Sequence, residues 1–267
     1  MPLFHLVLVA LIQGITEFLP VSSSGHLILL PALTGLDDQG LVIDVAAHVG
    51  TLLAVILFFR RDVGEGIAGL RDLASGRRDT YGARLALGIV VATIPVVLVG
   101  FVLSATGLEE HLRSTAVIGW TMLLFGLVLY WADTRFPEGR TARSWSLRHA
   151  LVMGLWQVLA LIPGTSRSGI TITGARTLGF DRREAARLSM LMSIPVIAAS
   201  GLLLGLDVAR TADAGVARDG AIVAGLSFLS ALAALALMMR LLRSVSYTPY
   251  VVYRVILGLI LLGIAYL

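Results

Sequence analysis

Six apolar stretches, roughly 41–59, 83–107, 114–132, 185–206, 220–243 and 250–267, are each long enough to cross a bilayer, for which a helix needs about 20 residues. That constraint outweighs every other in a chain of 267 residues. With 57% hydrophobic and 14% charged residues, against about 25% charged in soluble domains, the side chains cannot be hidden in one globular core. Lipid is the solvent this composition fits, and the expected fold class is an all-α integral membrane protein with six transmembrane helices. Every basic side chain is Arg, and the net charge of +4 is spread over loops. It forms no basic stripe with interleaved aromatics, so no nucleic-acid partner is expected. There is no cysteine, which excludes disulfides, a thiolate nucleophile and a cysteine-bound metal. The N-terminus lacks the basic start and small-residue cleavage site of a signal peptide, so its apolar stretch is read as mature structure.

Two further stretches are apolar but broken. Residues 3–19 end in Glu17-Phe-Leu-Pro20, followed by Ser22, Ser23, Ser24, Gly25 and His26; residues 150–162 run into Pro163-Gly-Thr-Ser-Arg-Ser-Gly169. Pro and Gly stop a helix. Irregular backbone at membrane depth survives only where it is buried in protein or lines a wet cavity. Both stretches are therefore expected to be re-entrant helix–loop–helix hairpins. They echo each other: Leu11-Ile-Gln-Gly14 through Pro20 to Ser24-Gly25 parallels Leu151-Val-Met-Gly154 through Pro163 to Ser168-Gly169. This divides a single membrane domain into halves 1–132, with a hairpin at about 3–35, and 133–267, with a hairpin at about 148–178.

Loop charges set the orientation. Residues 60–84 carry six Arg, 133–149 four, 176–187 four and 240–249 two, whereas 108–113 and 207–219 are mixed or acidic. Placing the Arg-rich loops inside puts every loop on its expected side only if both hairpins return to the side they entered. Both termini are then external, and the two halves form an inverted-topology repeat of the kind found in transporters. Trp120, Tyr130, Trp131 and Tyr247 fit interfacial belts, and His5, His111 and His149 fit membrane edges.

The polar residues at the breaks carry the chemistry. Gln13 and Glu17 share one helix face, and a mid-helix acid costs about 2.5–3.5 kcal/mol on insertion scales. Glu17 is read either as an interfacial side chain or as a carboxylate serving as metal ligand or base. Ser22, Ser23 and Ser24 supply three hydroxyls beside His26, where a helix cap would need one. His26 can donate, accept or attack near neutral pH. Arg167 stays charged wherever it is buried, so it needs an anion: either Glu17, or phosphate oxygens held by its planar fork. Gly164 and Gly169 would let backbone N–H groups approach the same anion, with Ser166, Ser168 and Thr171 adding hydroxyls at a helix N-terminus. Gln157 is placed to orient the loop or a water. Asp44 and His48, four apart, are read as lining the cavity or as packing.

At these residues the sequence resembles the undecaprenyl pyrophosphate phosphatase family, the bacitracin-resistance proteins. The carriers are Gln13-Gly-Ile-Thr-Glu17-Phe-Leu-Pro-Val-Ser-Ser-Ser-Gly-His26 and Pro163-Gly-Thr-Ser-Arg-Ser-Gly-Ile-Thr171. The resemblance implies a hydrolase that removes the terminal phosphate of a polyprenyl pyrophosphate lipid and recycles the carrier for cell-wall synthesis. It implies a divalent cation, Mg²⁺ or Ca²⁺, at Glu17 and Gln13, a bacterial plasma membrane, and a site open to the outer side. Gln13 stands where many relatives carry a second Glu, one carboxylate fewer for the ion. The attacking group is left open between His26, a serine (Ser23 first) and water, and pairing of two copies as a homodimer is left open too. The alternative from a different class is a secondary transporter or lipid flippase, which shares broken helices and an intramembrane Glu–Arg pair.

Overall fold

A computed structural model of the chain describes residues 1–35, 39–108, 112, 114–211 and 214–267, without the side chains of 28–29, 31–34, 203–211 and 214. The charges at 109–110, 113 and 213 used in the loop count, and His111, lie outside those residues, as do the side chains of Asp207 and Arg210. Described regular structure is helical, apart from one isolated bridge between Arg140 and Phe180. Six helices are long and apolar enough to cross a membrane: α3 (Gly40–Phe58), α5 (Tyr81–Thr106), α6 (Thr115–Arg135), α9 (Arg182–Thr211), α10 (Ala214–Leu241) and α11 (Thr248–Tyr266). They match the six apolar stretches to within a few residues at most boundaries. The chain is a multi-pass membrane protein.

Four shorter helices form two pairs, α1 (Leu3–Thr16) with α2 (Ser23–Thr34) and α7 (Leu147–Val158) with α8 (Arg167–Thr177). At 1.5 Å per residue each is roughly 17–21 Å long, well under the ~30 Å hydrocarbon core. One helix was not expected. Residues 60–84, read as a loop, contain α4 (Arg60–Ala74), whose Ile67 and Leu70 are exposed among its charges. Its amphipathic pattern is short, and Gly64, Gly66 and Gly69 hide it.

Helix starts follow local chemistry. Thr80 and Ser114 cap α5 and α6 by accepting the N–H groups of Ala83 and Val117, and Ser146 with His149 forms a capping box on α7, satisfying orphan donors of the first turn. His149 thus has a capping function at its helix start. His5, by contrast, is buried.

Helices distant in sequence pack together. α3 lies against α10 and α9, and α6 against α11; α1 packs on α10, and α7 on α5. The last two contacts depend on glycine: a Cβ on Gly14 would stand 1.9 Å from Ser230 Oγ, and one on Gly154 2.5 Å from the Ala92 carbonyl. Each short pair therefore seats its first helix on a long helix distant in sequence, α1 on α10 and α7 on α5.

A buried polar cluster closes the Arg-rich end. Asp133 Oδ1 accepts from Arg176 Nε at 3.2 Å and from Arg182 Nε at 2.8 Å, and its Oδ2 accepts the Tyr247 N–H at 3.1 Å. Arg176 also donates to the carbonyls of Asp133, Phe136 and Phe180. Two expectations are corrected here. Arg176, counted as a loop charge, is fully buried in α8; Tyr247, read as interfacial, is fully buried too. Both sit at the edges of apolar stretches, where charge pairing and an interfacial position have the same sequence signature.

The glycine contacts yield a stability test. Gly154→Ala should lower the stability of the detergent-solubilised protein by about 1–3 kcal/mol, because the obstructing atoms are backbone. Gly64→Ala, on the open face of α4 with nothing within 4 Å, should raise it by about 0.5–1 kcal/mol. Thermal unfolding of the two variants side by side measures both.

Candidate active site

The two breaks are built alike. Ser22 (φ 73°) and Ser166 (φ 69°) are the described non-glycine residues in the left-handed region, a placement that costs roughly 1–2 kcal/mol apiece. Each serine hydroxyl accepts the N–H of the glycine three residues on, Gly25 at 3.4 Å and Gly169 at 3.1 Å. Each also meets the hydroxyl two residues on, Ser24 at 3.3 Å and Ser168 at 3.1 Å. The result is a capped N-terminus on α2 and another on α8, with first-turn amides and the positive dipole end available to an anion at both.

The breaks touch directly. Ser168 Oγ donates to the Leu19 carbonyl at 2.9 Å. Arg167 Nη2 donates to Glu17 Oε1 at 2.8 Å, with the two side chains 13% and 8% exposed. Two further groups complete the shell of the carboxylate: Ser23 Oγ donates to Oε2 at 2.8 Å and Gln13 Nε2 at 3.0 Å. Arg167 Nη1 is buried and has no hydrogen-bond partner among the described residues. Burying a donor unsatisfied costs about 1–3 kcal/mol, and a ligand oxygen at that atom would relieve it.

His26 lies one turn along α2 from Ser23. Its Nδ1 donates to the Ser22 carbonyl at 2.6 Å, so in the neutral ring Nε2 carries the lone pair; that nitrogen accepts from the Tyr253 hydroxyl, and the two rings stack at 5.6 Å.

The remaining expected residues divide. Ser24 is exposed beside the break. Thr171 is fully buried, its hydroxyl engaged by the Arg167 and Ser168 carbonyls and by Ser189 Oγ at 2.6 Å, so it braces α8 on α9. Gln157 is buried with its amide against the Ala92 carbonyl, remote from the Glu17 cluster in its bonding. Gly164, at φ 86°, presses against Thr121 and Ile118 of α6. The Gly169 N–H is taken by its own cap.

Three further contributors join the site: His48, which the sequence offers only as lining the cavity or as packing, and Tyr253 and Arg254, which the sequence reading does not single out. His48 Nε2 stands 3.9 Å from Glu17 Oε2, with Nδ1 tied to the Asp44 carbonyl; the helical spacing of the pair was visible, the facing partner was not. Tyr253 has no sequence signal beyond being aromatic. Arg254 does: like Arg167 it is an ionisable residue inside an apolar stretch, so 250–267 is not the plain apolar span it was read as. It is fully buried and donates to carbonyls at both breaks, Pro20 at 3.4 Å and Thr165 at 2.9 Å.

Among the described residues no group of three His, Cys, Asp or Glu could hold a metal unaided. The available oxygen donors are Glu17 and Gln13 Oε1, which is buried without a partner among the described residues. Two such donors suit a hard cation that completes its shell with water and substrate phosphate, as Mg²⁺ commonly does.

The family model described as bacitracin resistance protein BacA matches residues 6–260. A protein of Ruegeria pomeroyi named undecaprenyl-diphosphatase is 71% identical over 266 residues, spanning 100% of both chains. A protein of the same name from Dinoroseobacter shibae is 67% identical over 266 residues, again 100% of each. One from Chromohalobacter salexigens is 47% identical over 260 residues, 97% of each.

The Glu17–Arg167 contact makes a thermodynamic prediction. Glu17→Gln and Arg167→Met should each destabilise the protein, and the double variant by less than their sum, with a coupling of about 0.5–3 kcal/mol. Strict additivity in thermal unfolding would show that the pair is not coupled.

Proposed function

This chain belongs to the bacitracin resistance protein BacA family, and we propose on that footing how its two breaks act on a diphosphate headgroup. It is a membrane phosphatase that hydrolyses undecaprenyl diphosphate to undecaprenyl phosphate and inorganic phosphate, recycling the lipid carrier of cell-wall synthesis. The observation that carries the site assignment is the Arg167 guanidinium, held by Glu17 through Nη2 with Nη1 left over in a buried setting. A fixed cation with a spare donor is a receptor for phosphate oxygen.

Ser23 Oγ, hydrogen-bonded to Glu17 Oε2, has the nucleophile–base relation of an activated hydroxyl. In the first step Ser23 Oγ bonds to the terminal phosphorus, its proton passes to Glu17, and the bond to the bridging oxygen breaks, releasing undecaprenyl phosphate. Water then attacks the phosphoserine; His26 Nε2, once the Tyr253 hydroxyl has turned away from it, takes the water proton and later loses it to solvent, and Ser23 recovers its own proton from Glu17 as phosphate leaves. Phosphoryl transfer is mostly positioning and charge stabilisation, supplied by Arg167, the Ser24 hydroxyl and the first-turn amides of α2 and α8. Ser22 and Ser166 act as caps, and Ser168, Thr171, Gly164 and Gln157 hold the loops. Glu17 and Gln13 Oε1 are the groups that would hold a divalent cation, which when bound neutralises charge on the diphosphate oxygens. A transporter would use the same architecture, but it has no need of a hydroxyl bonded to the carboxylate.

We also read the two short-helix pairs as re-entrant hairpins related by an inverted repeat, in the bacterial inner membrane with both termini and the site toward the outside. Their lengths, their matching serine turns and the exchanged packing of α1 and α7 support this. Between Gly14/Gly154 and Ser22/Ser166 the second half is longer by four residues, where a 3₁₀ turn at Leu159–Leu161 follows α7.

Two measurements test these readings. Phosphate release from undecaprenyl diphosphate in detergent should fall at least about a hundredfold in Ser23→Ala and in Arg167→Ala, and an acid-stable phosphoserine should be trapped at Ser23; a near-normal rate in either variant refutes its role. Since the chain has no cysteine, Ser75→Cys and Leu112→Cys report sidedness. In intact spheroplasts an impermeant maleimide should label position 112 and leave 75 unlabelled until lysis, and the reverse pattern overturns the orientation.

A further inference from the structure

Arg254 lies in a membrane-spanning helix, is fully buried, and has no carboxylate partner among the described residues. A cation in that position is costly unless something compensates it. The compensation here consists of five carbonyls. Nε donates to Met122 at 3.3 Å, Nη1 to Pro20 at 3.4 Å, and Nη2 to Thr121 at 3.3 Å, Gly164 at 3.2 Å and Thr165 at 2.9 Å. Two of these belong to α6, one to the first break and two to the second, so a single guanidinium spans three segments that share no covalent connection nearby. Glycine makes the room: a Cβ on Gly169 would stand 2.8 Å from Nη1, and one on Gly126 3.3 Å from Arg254 Cβ.

The carbonyls that Arg254 gathers fix peptide planes. In a planar trans peptide the N–H points opposite to the preceding C=O. Holding the Thr165 carbonyl toward Arg254 therefore turns the Ser166 N–H the other way, and that residue precedes Arg167. Holding Pro20 in the same fork ties this loop to the one that presents Ser22 and Ser23. We infer that Arg254 is a positioning residue for phosphoryl transfer: by collecting carbonyls from both breaks it sets the register in which Arg167 meets Glu17 and turns the Ser166 amide toward the diphosphate. This inference rests on the phosphatase reading above. Lysine cannot replace the fork, because a point ammonium with three donors cannot reach five acceptors in three directions.

The test compares Arg254→Lys with Arg176→Lys, a second fully buried arginine that also donates to carbonyls, but at the Arg-rich end among Asp133, Phe136 and Phe180. Both variants are purified in detergent; melting temperature, kcat and KM for undecaprenyl diphosphate are measured. The expected result is a kcat about a hundredfold down in Arg254→Lys, the scale of an ångström-level misplacement, with KM within about threefold, while Arg176→Lys keeps its kcat despite a comparable loss of melting temperature. If Arg254→Lys does not fold, Arg254→Gln, which keeps an amide donor pair, is assayed in the same way. Wild-type kcat in the folded Arg254 variant, or a kcat that simply tracks melting temperature in both arginine variants, overturns the inference alone. Absence of phosphate release by the wild type overturns the phosphatase reading and this inference with it.

Discussion

The contact on which the rest of the site depends is the ion pair between Arg167 and Glu17, residues 150 apart in sequence. Neither side chain could stay alone where it sits. A guanidinium cannot shed its charge, and removing one partner of a buried pair typically costs about 3–5 kcal/mol. The pair therefore joins the two broken segments as surely as packing does. It also leaves a functional residue: Glu17 keeps one oxygen for Ser23 and Gln13, and Arg167 keeps one nitrogen unsatisfied. The same interaction that closes the fold leaves the site able to receive an anion.

Breaking a helix among apolar neighbours leaves backbone groups that those neighbours cannot satisfy, and the structure disposes of them in two ways. Donors at the start of α2 and α8 are partly met by serine caps, which need Ser22 and Ser166 in an unfavourable left-handed conformation. Acceptors in the loops are met by side chains from elsewhere: Thr121 donates to Pro163, Ser168 to Leu19, and Arg254 to Pro20, Gly164 and Thr165. On the function proposed above, the donors not used by caps are the ones an incoming phosphate would meet.

The opposite end is closed by similar means to a different purpose. Arg176 is as buried as Arg254 and also satisfies carbonyls, but it has Asp133 beside it and no spare donor facing a break. It holds the connection from α6 to α8 and α9. Two buried arginines in apolar surroundings thus differ through their partners, which no local sequence window contains.

Features that depend only on neighbours along the chain are legible without coordinates. The length of the apolar stretches specified solvent and the six long helices, Pro20 and Pro163 with their glycines marked both breaks, and the spacing of Gln13 and Glu17 put them on one face. Tertiary structure decided which groups meet. It chose Ser23 among three adjacent serines to face Glu17, assigned Ser22 to capping, turned Thr171 inward, brought His48 and Tyr253 to the site, and set Arg254 between the loops. Burial and helical period are local properties, whereas the hydrogen bond from Arg167 on α8 to Glu17 just past α1 depends on how the two helices are rotated and seated against others. That seating is settled by contacts such as Gly14 on α10 and Gly154 on α5, which act more than 60 residues away along the chain.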